Sequence, residues 1–148
     1  MIKAKVIRRR LDPRALDKLE RALEGPKTVA VGFPEGEVDP EIVERAARSE
    51  FGTRRQPERP FMRTTTAENA GLYRTLLRGA AESIMQGQTD MRRALEGIGE
   101  QVAADMREAI TNASPGNAPS TVKRKGSAKV LHETGEMAAA LTHKVEDR

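Results

Sequence analysis

Apolar residues recur along this chain first at the spacing of strands and then at that of helices. Ile2, Ala4 and Val6 alternate with Lys3 and Lys5, which predicts a short strand with one wet face. Asp12-Pro13 is a helix start, with an acceptor at the N-cap and a proline ring at N1. Leu16, Leu19 and Leu23 then share a face, and Gly25-Pro26 ends that helix. Thr28 to Phe33 reads as a second strand, turned by Gly32, Pro34 and Gly36. Asp39-Pro40 repeats the start signal, and Ile42, Val43, Ala46 and Ala47 give a short amphipathic helix ending near Phe51 and Gly52. Residues 53–60 form a charged, proline-bearing loop, and Phe61 to Thr65 reads as a third strand.

The pattern from Ala67 to Asn112 is helical. Leu72, Leu76, Leu77, Ala80 and Ile84 make one stripe, and Met91, Leu95, Ile98, Val102, Met106 and Ile110 a second. Gly87 to Thr89 is a weak point, and Asp90 can cap the restart. Gly97 and Gly99 argue against an unbroken second helix. Asn112 to Pro119 is a breaker-rich loop, Ser120 to Lys125 a capped turn stopped by Gly126, and Met137 to Leu141 a short helix capped by Thr134 with Gly135 at N1. Thr142 to Val145 can be a last strand. The predicted fold is α+β: a small mixed or antiparallel sheet packed by one or two longer helices, with extended loops. One domain spans 1–148, its core within about 1–112 and a C-terminal loop, short helix and strand over 113–148.

Composition narrows the function. The hydrophobic share of 37% makes a thin core for 148 residues, and that points to burial against partner subunits. No apolar run is long enough to cross a membrane, and the basic start of the chain lacks the apolar stretch of a secretory signal. With no cysteine there is no disulfide frame and no thiolate ligand or nucleophile. The net charge of +4 is unevenly spread. Residues 35–50 hold six acids against two arginines, whereas residues 54–63 hold Arg54, Arg55, Arg59 and Arg63 against Glu58. Opposite blocks on one small chain suit head-to-tail contact between copies, and the basic ones also suit nucleic acid.

Candidate chemistry is sparse. Glu37, Glu41 and Glu44 sit at helical spacing, but no apolar ring surrounds them to raise a carboxylate toward a catalytic range, and they read as a solvated face. His132 and His143 have no third ligand at a recognisable spacing, so no metal is expected. Gly97-Ile98-Gly99 mimics half of a dinucleotide fingerprint but lies within a helical stripe. No nucleophile or phosphate-loop motif is present, so neither an enzyme nor a cofactor is expected. Arg8, Arg9 and Arg10, and again Lys123, Arg124 and Lys125, can meet phosphates, but four aromatics are too few for base stacking. A specific reader of nucleic acid is not expected; the basic clusters leave open a lining past which DNA slides, as the lesser alternative.

Two ordered segments go further. One runs from Val31-Gly32-Phe33 through Ser49-Glu50-Phe51-Gly52-Thr53 to Pro57-Glu58-Arg59-Pro60-Phe61-Met62-Arg63. The other runs from Asn117-Ala118-Pro119-Ser120-Thr121 through Lys125-Gly126 and Leu131-His132-Glu133-Thr134-Gly135-Glu136-Met137 to Leu141-Thr142-His143-Lys144-Val145. Together they resemble the neck or tail-completion (virion morphogenesis) proteins of long-tailed bacteriophages and prophages. Glu133 stands where that family often has Asp.

The resemblance implies a non-enzymatic virion protein of the head–tail junction, made in the bacterial host cytoplasm. It implies a ring, six copies by analogy with tail symmetry, that joins the head connector to the tail and passes DNA without reading its sequence. Neighbouring head-closure, tail-terminator or tail-tube proteins would be its partners. The alternatives are a tail terminator capping the tube and a small basic DNA-binding or packaging accessory protein. Phe51, Gly52, Pro60, Phe61, Thr134 and Gly135 read as scaffold, with Phe51 anchoring a helix end in the core. Arg59, Arg63, Ser120, Thr121, Lys123, Arg124 and Lys125 are candidate contacts to a neighbour. Arg8, Arg9, Arg10, Lys123, Arg124 and Lys125 are candidates to face DNA.

Overall fold

A computed structural model describes residues 13–112 and 135–147. Their elements, in chain order, are α1 (Pro13–Leu23), β1 (Thr28–Gly32), α2 (Pro40–Phe51), α3 (Phe61–Glu68), α4 (Ala70–Met85), α5 (Met91–Thr111), α6 (Glu136–Ala140) and β2 (Thr142–Glu146). The expected strand at Ile2–Val6, the Asp12 cap, the Arg8–Arg10 and Lys123–Lys125 clusters, Ser120, Thr121, His132 and Thr134 lie outside the described residues. The fold is α+β, with helices around a two-stranded antiparallel sheet.

Helix α5 is the axis of the molecule. Leu95, Ile98, Gly99, Ala103, Met106 and Ile110 recur every three or four residues and are its buried face. Asp90 caps its start by accepting from the Arg93 backbone N–H at 2.9 Å. The helix runs straight through both glycines, for different reasons. A Cβ on Gly97 would meet open space. On Gly99 it would lie 2.7 Å from Val29 Cγ2 and from His143 Cδ2. Glycine there is what lets the helix lie directly on the sheet.

The sheet pairs Val29 with Val145 and Val31 with His143. Side chains alternate along a strand, so these four share the face toward α5. Ala30, Lys144 and Thr142 share the other face, which lines an open groove of about 200 Å³ with Phe33 and Pro34. Arg107 on α5 pins the entry to β2, donating from Nε and Nη2 to the Leu141 carbonyl at 3.2 and 2.9 Å.

The core gathers Ala46, Phe61, Ala103, Met106, Ile110, Met137 and Leu141. Phe33 meets Phe61 edge to face with centroids 6.4 Å apart. Leu141 is fully buried and Met137 nearly so. The core therefore extends beyond residue 112, and the C-terminal helix and strand complete it.

Four expectations are corrected. Phe61–Thr65 is not a strand but the first part of α3. Phe51 does not anchor the core: it is 69% exposed. Gly135 is not at N1 but at the N-cap of α6, with φ at +70°. The α4 stripe is split: Ile84 is buried, while Leu72 and Leu77 are 46% and 51% exposed.

Candidate interaction site

The segment joining α2 to α3 folds into one rigid unit. Asp39 opens α2 by accepting from the Glu41 backbone N–H at 2.8 Å. Gly52 closes it at φ +71°, and a Cβ there would stand 2.8 Å from the Glu58 backbone nitrogen. Thr53 then accepts from the Gln56 N–H through its hydroxyl at 3.1 Å, and its own N–H donates to the Gln56 carbonyl at 2.8 Å. This tight turn sends the chain back along α2, where the Arg59 N–H reaches the Ser49 carbonyl at 2.7 Å. Pro60 then stands at the N-cap of α3, a residue with no side chain able to cap it.

Glu50 supplies the missing cap. Its buried carboxylate, 4% exposed, accepts from the backbone N–H groups of Met62 at 2.9 Å and Arg63 at 3.1 Å. These are orphan donors of the first turn of α3. The negative charge also meets the positive end of the α3 dipole. Arg63 Nε donates to the same carboxylate at 2.9 Å, and Arg63 Nη2 donates to the Glu50 carbonyl at 2.6 Å and to Glu58 at 3.1 Å. The bonds to Glu50 and then Glu58 hold the Arg63 guanidinium above its usual pKa. That guanidinium also lies over the Phe51 ring, 5.3 Å from its centroid.

Beside this unit opens an apolar groove of about 370 Å³, walled by Phe33, Val43, Ala46, Ala47, Met62 and Phe51. It lies between two charge blocks. Glu35, Asp39, Glu41 and Glu44 are exposed around the start of α2; Arg54 and Arg55 are exposed just past its end. Glu37 stands before α2 rather than on it and pairs with Lys144 at 2.9 Å, while Glu44 pairs with Arg48. The bond to Glu37 raises the Lys144 pKa.

Elsewhere, His143 Nδ1 is buried and stands 3.5 Å from Glu100, short of a hydrogen bond. Among the described residues no group of three or more His, Asp or Glu could hold a metal, and no helix is long and apolar enough to cross a membrane. Compared with family models, curated proteins and solved structures, the chain matches none.

Of the residues singled out in the sequence, Phe51, Gly52, Arg59, Pro60, Phe61 and Arg63 come together here. Arg59 Nε is buried without a hydrogen-bond partner among the described residues. Gly135 lies apart, where Arg45 pairs with Glu136 at 3.4 Å. The residue that sequence reasoning passed over is Glu50. Its signal was local: an acid in the last turn of a helix opposes that helix's own dipole, which marks it as serving another element.

Proposed function

We propose that this chain is a structural virion protein of the phage head–tail junction, a subunit of a ring that joins head connector to tail and passes DNA. One observation carries the reading beside the ordered motifs. Six large apolar side chains, Leu16, Leu23, Phe51, Leu72, Leu77 and Met85, are 44–71% exposed. Phe51 lines one uncovered groove, and Leu23, Leu77 and Met85 line a second of about 430 Å³ between α1, α4 and α5. Apolar surface left open in this way is what an assembly subunit covers against its neighbours. The two-stranded sheet, with outer strand edges open among the described residues, adds a second means of joining copies.

The test is electron microscopy of lysate from a phage carrying an early stop codon in this gene. DNA-filled heads beside separate tails of normal length are the expected result. Over-long separate tails would transfer the protein to the tail terminator, and empty heads to packaging. Intact, infectious virions would overturn the structural reading.

A further inference from the structure

The α2 face is polar in the sense of a rod with two ends. Glu35, Asp39 and Glu41 are exposed around its start, and Arg54 and Arg55 just past its finish, about 18 Å further along the helix axis. Between the ends lies the groove of Val43, Ala46, Ala47, Phe33 and Met62. Ala47 and Val43 stand one and two turns before Phe51, whose ring walls the groove at its basic end and is itself 69% exposed. The larger groove between α1, α4 and α5 has no such polarity: Asp17, Lys18, Glu20, Arg21 and Glu24 alternate in sign along its α1 border.

We propose that α2 carries the subunit-to-subunit contact of the ring, head to tail: the basic end of one copy, led by Phe51, docks into the groove and acidic start of α2 in the next. The occupant is a second copy of this chain, because the two halves of the contact are complementary in charge and both are on the same molecule. An aromatic anchor entering an apolar slot supplies the affinity, and the flanking charges supply approach and register. Each copy uses its knob on one neighbour and its slot on the other, so the contact propagates until rotation closes it. This rests on the ring reading above.

The chain contains no cysteine, so engineered cysteines report alone. In Glu41→Cys/Arg55→Cys the two thiols sit at opposite ends of α2, too far apart to bridge within one copy. Mild oxidation of the full-length protein should give a ladder of linked copies ending at the closed ring, while either single variant stays unlinked. Arg54→Glu/Arg55→Glu should lower self-association about tenfold at low salt, and mixing it with Glu35→Lys/Glu41→Lys should restore assembly. Phe51→Ser, at a solvent-facing position, should lose assembly with its fold intact by circular dichroism.

A wild type that forms rings while the double cysteine variant gives no ladder would overturn this surface and leave the ring reading standing. Linkage that stops at a dimer, or that appears with one cysteine alone, would replace head-to-tail contact by a two-fold one and overturn the proposal. A wild type that stays monomeric at every concentration, with no ladder, would overturn it too; the stop-codon lysate then decides the junction reading by itself.

Discussion

Replacing Glu50 by alanine should be among the most costly single changes in the described structure. The loss is worked from three bonds. Two are backbone donors of the α3 first turn, Met62 and Arg63 N–H, which have no other side-chain acceptor. Losing a helix cap costs about 1 kcal/mol, and bonds to a charged acceptor run higher, about 1.5–3 kcal/mol. The third is the Arg63 guanidinium. That side chain is 53% exposed and keeps Glu58, so its part shrinks toward the value of a surface pair, about 0–1 kcal/mol. The contributions overlap, and about 3 kcal/mol in all is expected. At this chain length that is roughly 6–12 °C in Tm. Glu50→Gln keeps one acceptor oxygen but turns an amide donor toward a backbone donor, so about 2 kcal/mol is expected. Urea melts followed by circular dichroism give both numbers, and hydrogen exchange at Met62 and Arg63 shows whether α3 frays first. If both variants melt within about 0.5 kcal/mol of wild type, the capping argument is wrong.

Three further outcomes follow from the same geometry. Gly99→Ala should destabilise by about 1–3 kcal/mol through its clash with Val29 and His143, while Gly97→Ala, facing open space, should stabilise by up to about 1 kcal/mol; equal melts for the pair would remove the close-packing account. Gly52→Ala combines a left-handed backbone with a Cβ against the Glu58 nitrogen, and should cost about 1–3 kcal/mol in a thermal melt. Tyr73 donates to Asp105 at 2.9 Å, and burial, then that bond to a carboxylate, pushes its pKa up to about 12. The raised value means the protonated phenol stabilises the fold: the contribution is whole below the unfolded value of about 10 and is lost as pH climbs from there to about 12. Melts across pH 9–12 should show this loss in wild type and its absence in Tyr73→Phe.

Much of the fold was legible because its signals are local. The Asp39 and Asp90 caps, the breaks around Gly25 and Gly87, and the α5 stripe all rest on residues within a few positions of one another. The α3 error had the opposite cause. Phe61-Met62-Arg63-Thr64-Thr65 reads as a strand by β-branched and aromatic content, and Pro60 offers no cap. What makes it helical is a carboxylate twelve and thirteen residues upstream, which no windowed pattern registers. Gly99 misled for the same reason: its cost to the helix is local, whereas its benefit, contact with β1 and β2, is tertiary. At the candidate site, sequence reading found Arg59, Arg63 and Phe51 but placed Phe51 inside.

The placement of Phe51 and that of Glu50 are one fact. Successive residues on a helix are turned by about 100°. On α2 the buried positions are Ala46, Ser49 and Glu50, so the turn that brings the Glu50 carboxylate under α3 carries the Phe51 ring around to solvent. An ordinary amphipathic helix would do the reverse, phenylalanine in and glutamate out. The inversion is stable because Glu50 is fully satisfied where it lies: two backbone donors and a guanidinium replace its water. Gly52 holds the same arrangement from the other side, since only a residue free to take positive φ can turn the chain back within reach of Glu58. The fold thus uses a buried charge to present an aromatic ring, braced by Arg63 and flanked by Arg54 and Arg55, at the mouth of an empty apolar slot. A hydrophobic residue in place of Glu50 would leave the Met62 and Arg63 N–H groups without their acceptor, so it is expected to cost about as much as alanine, about 3 kcal/mol in a urea melt, rather than to turn α2 into an ordinary amphipathic helix.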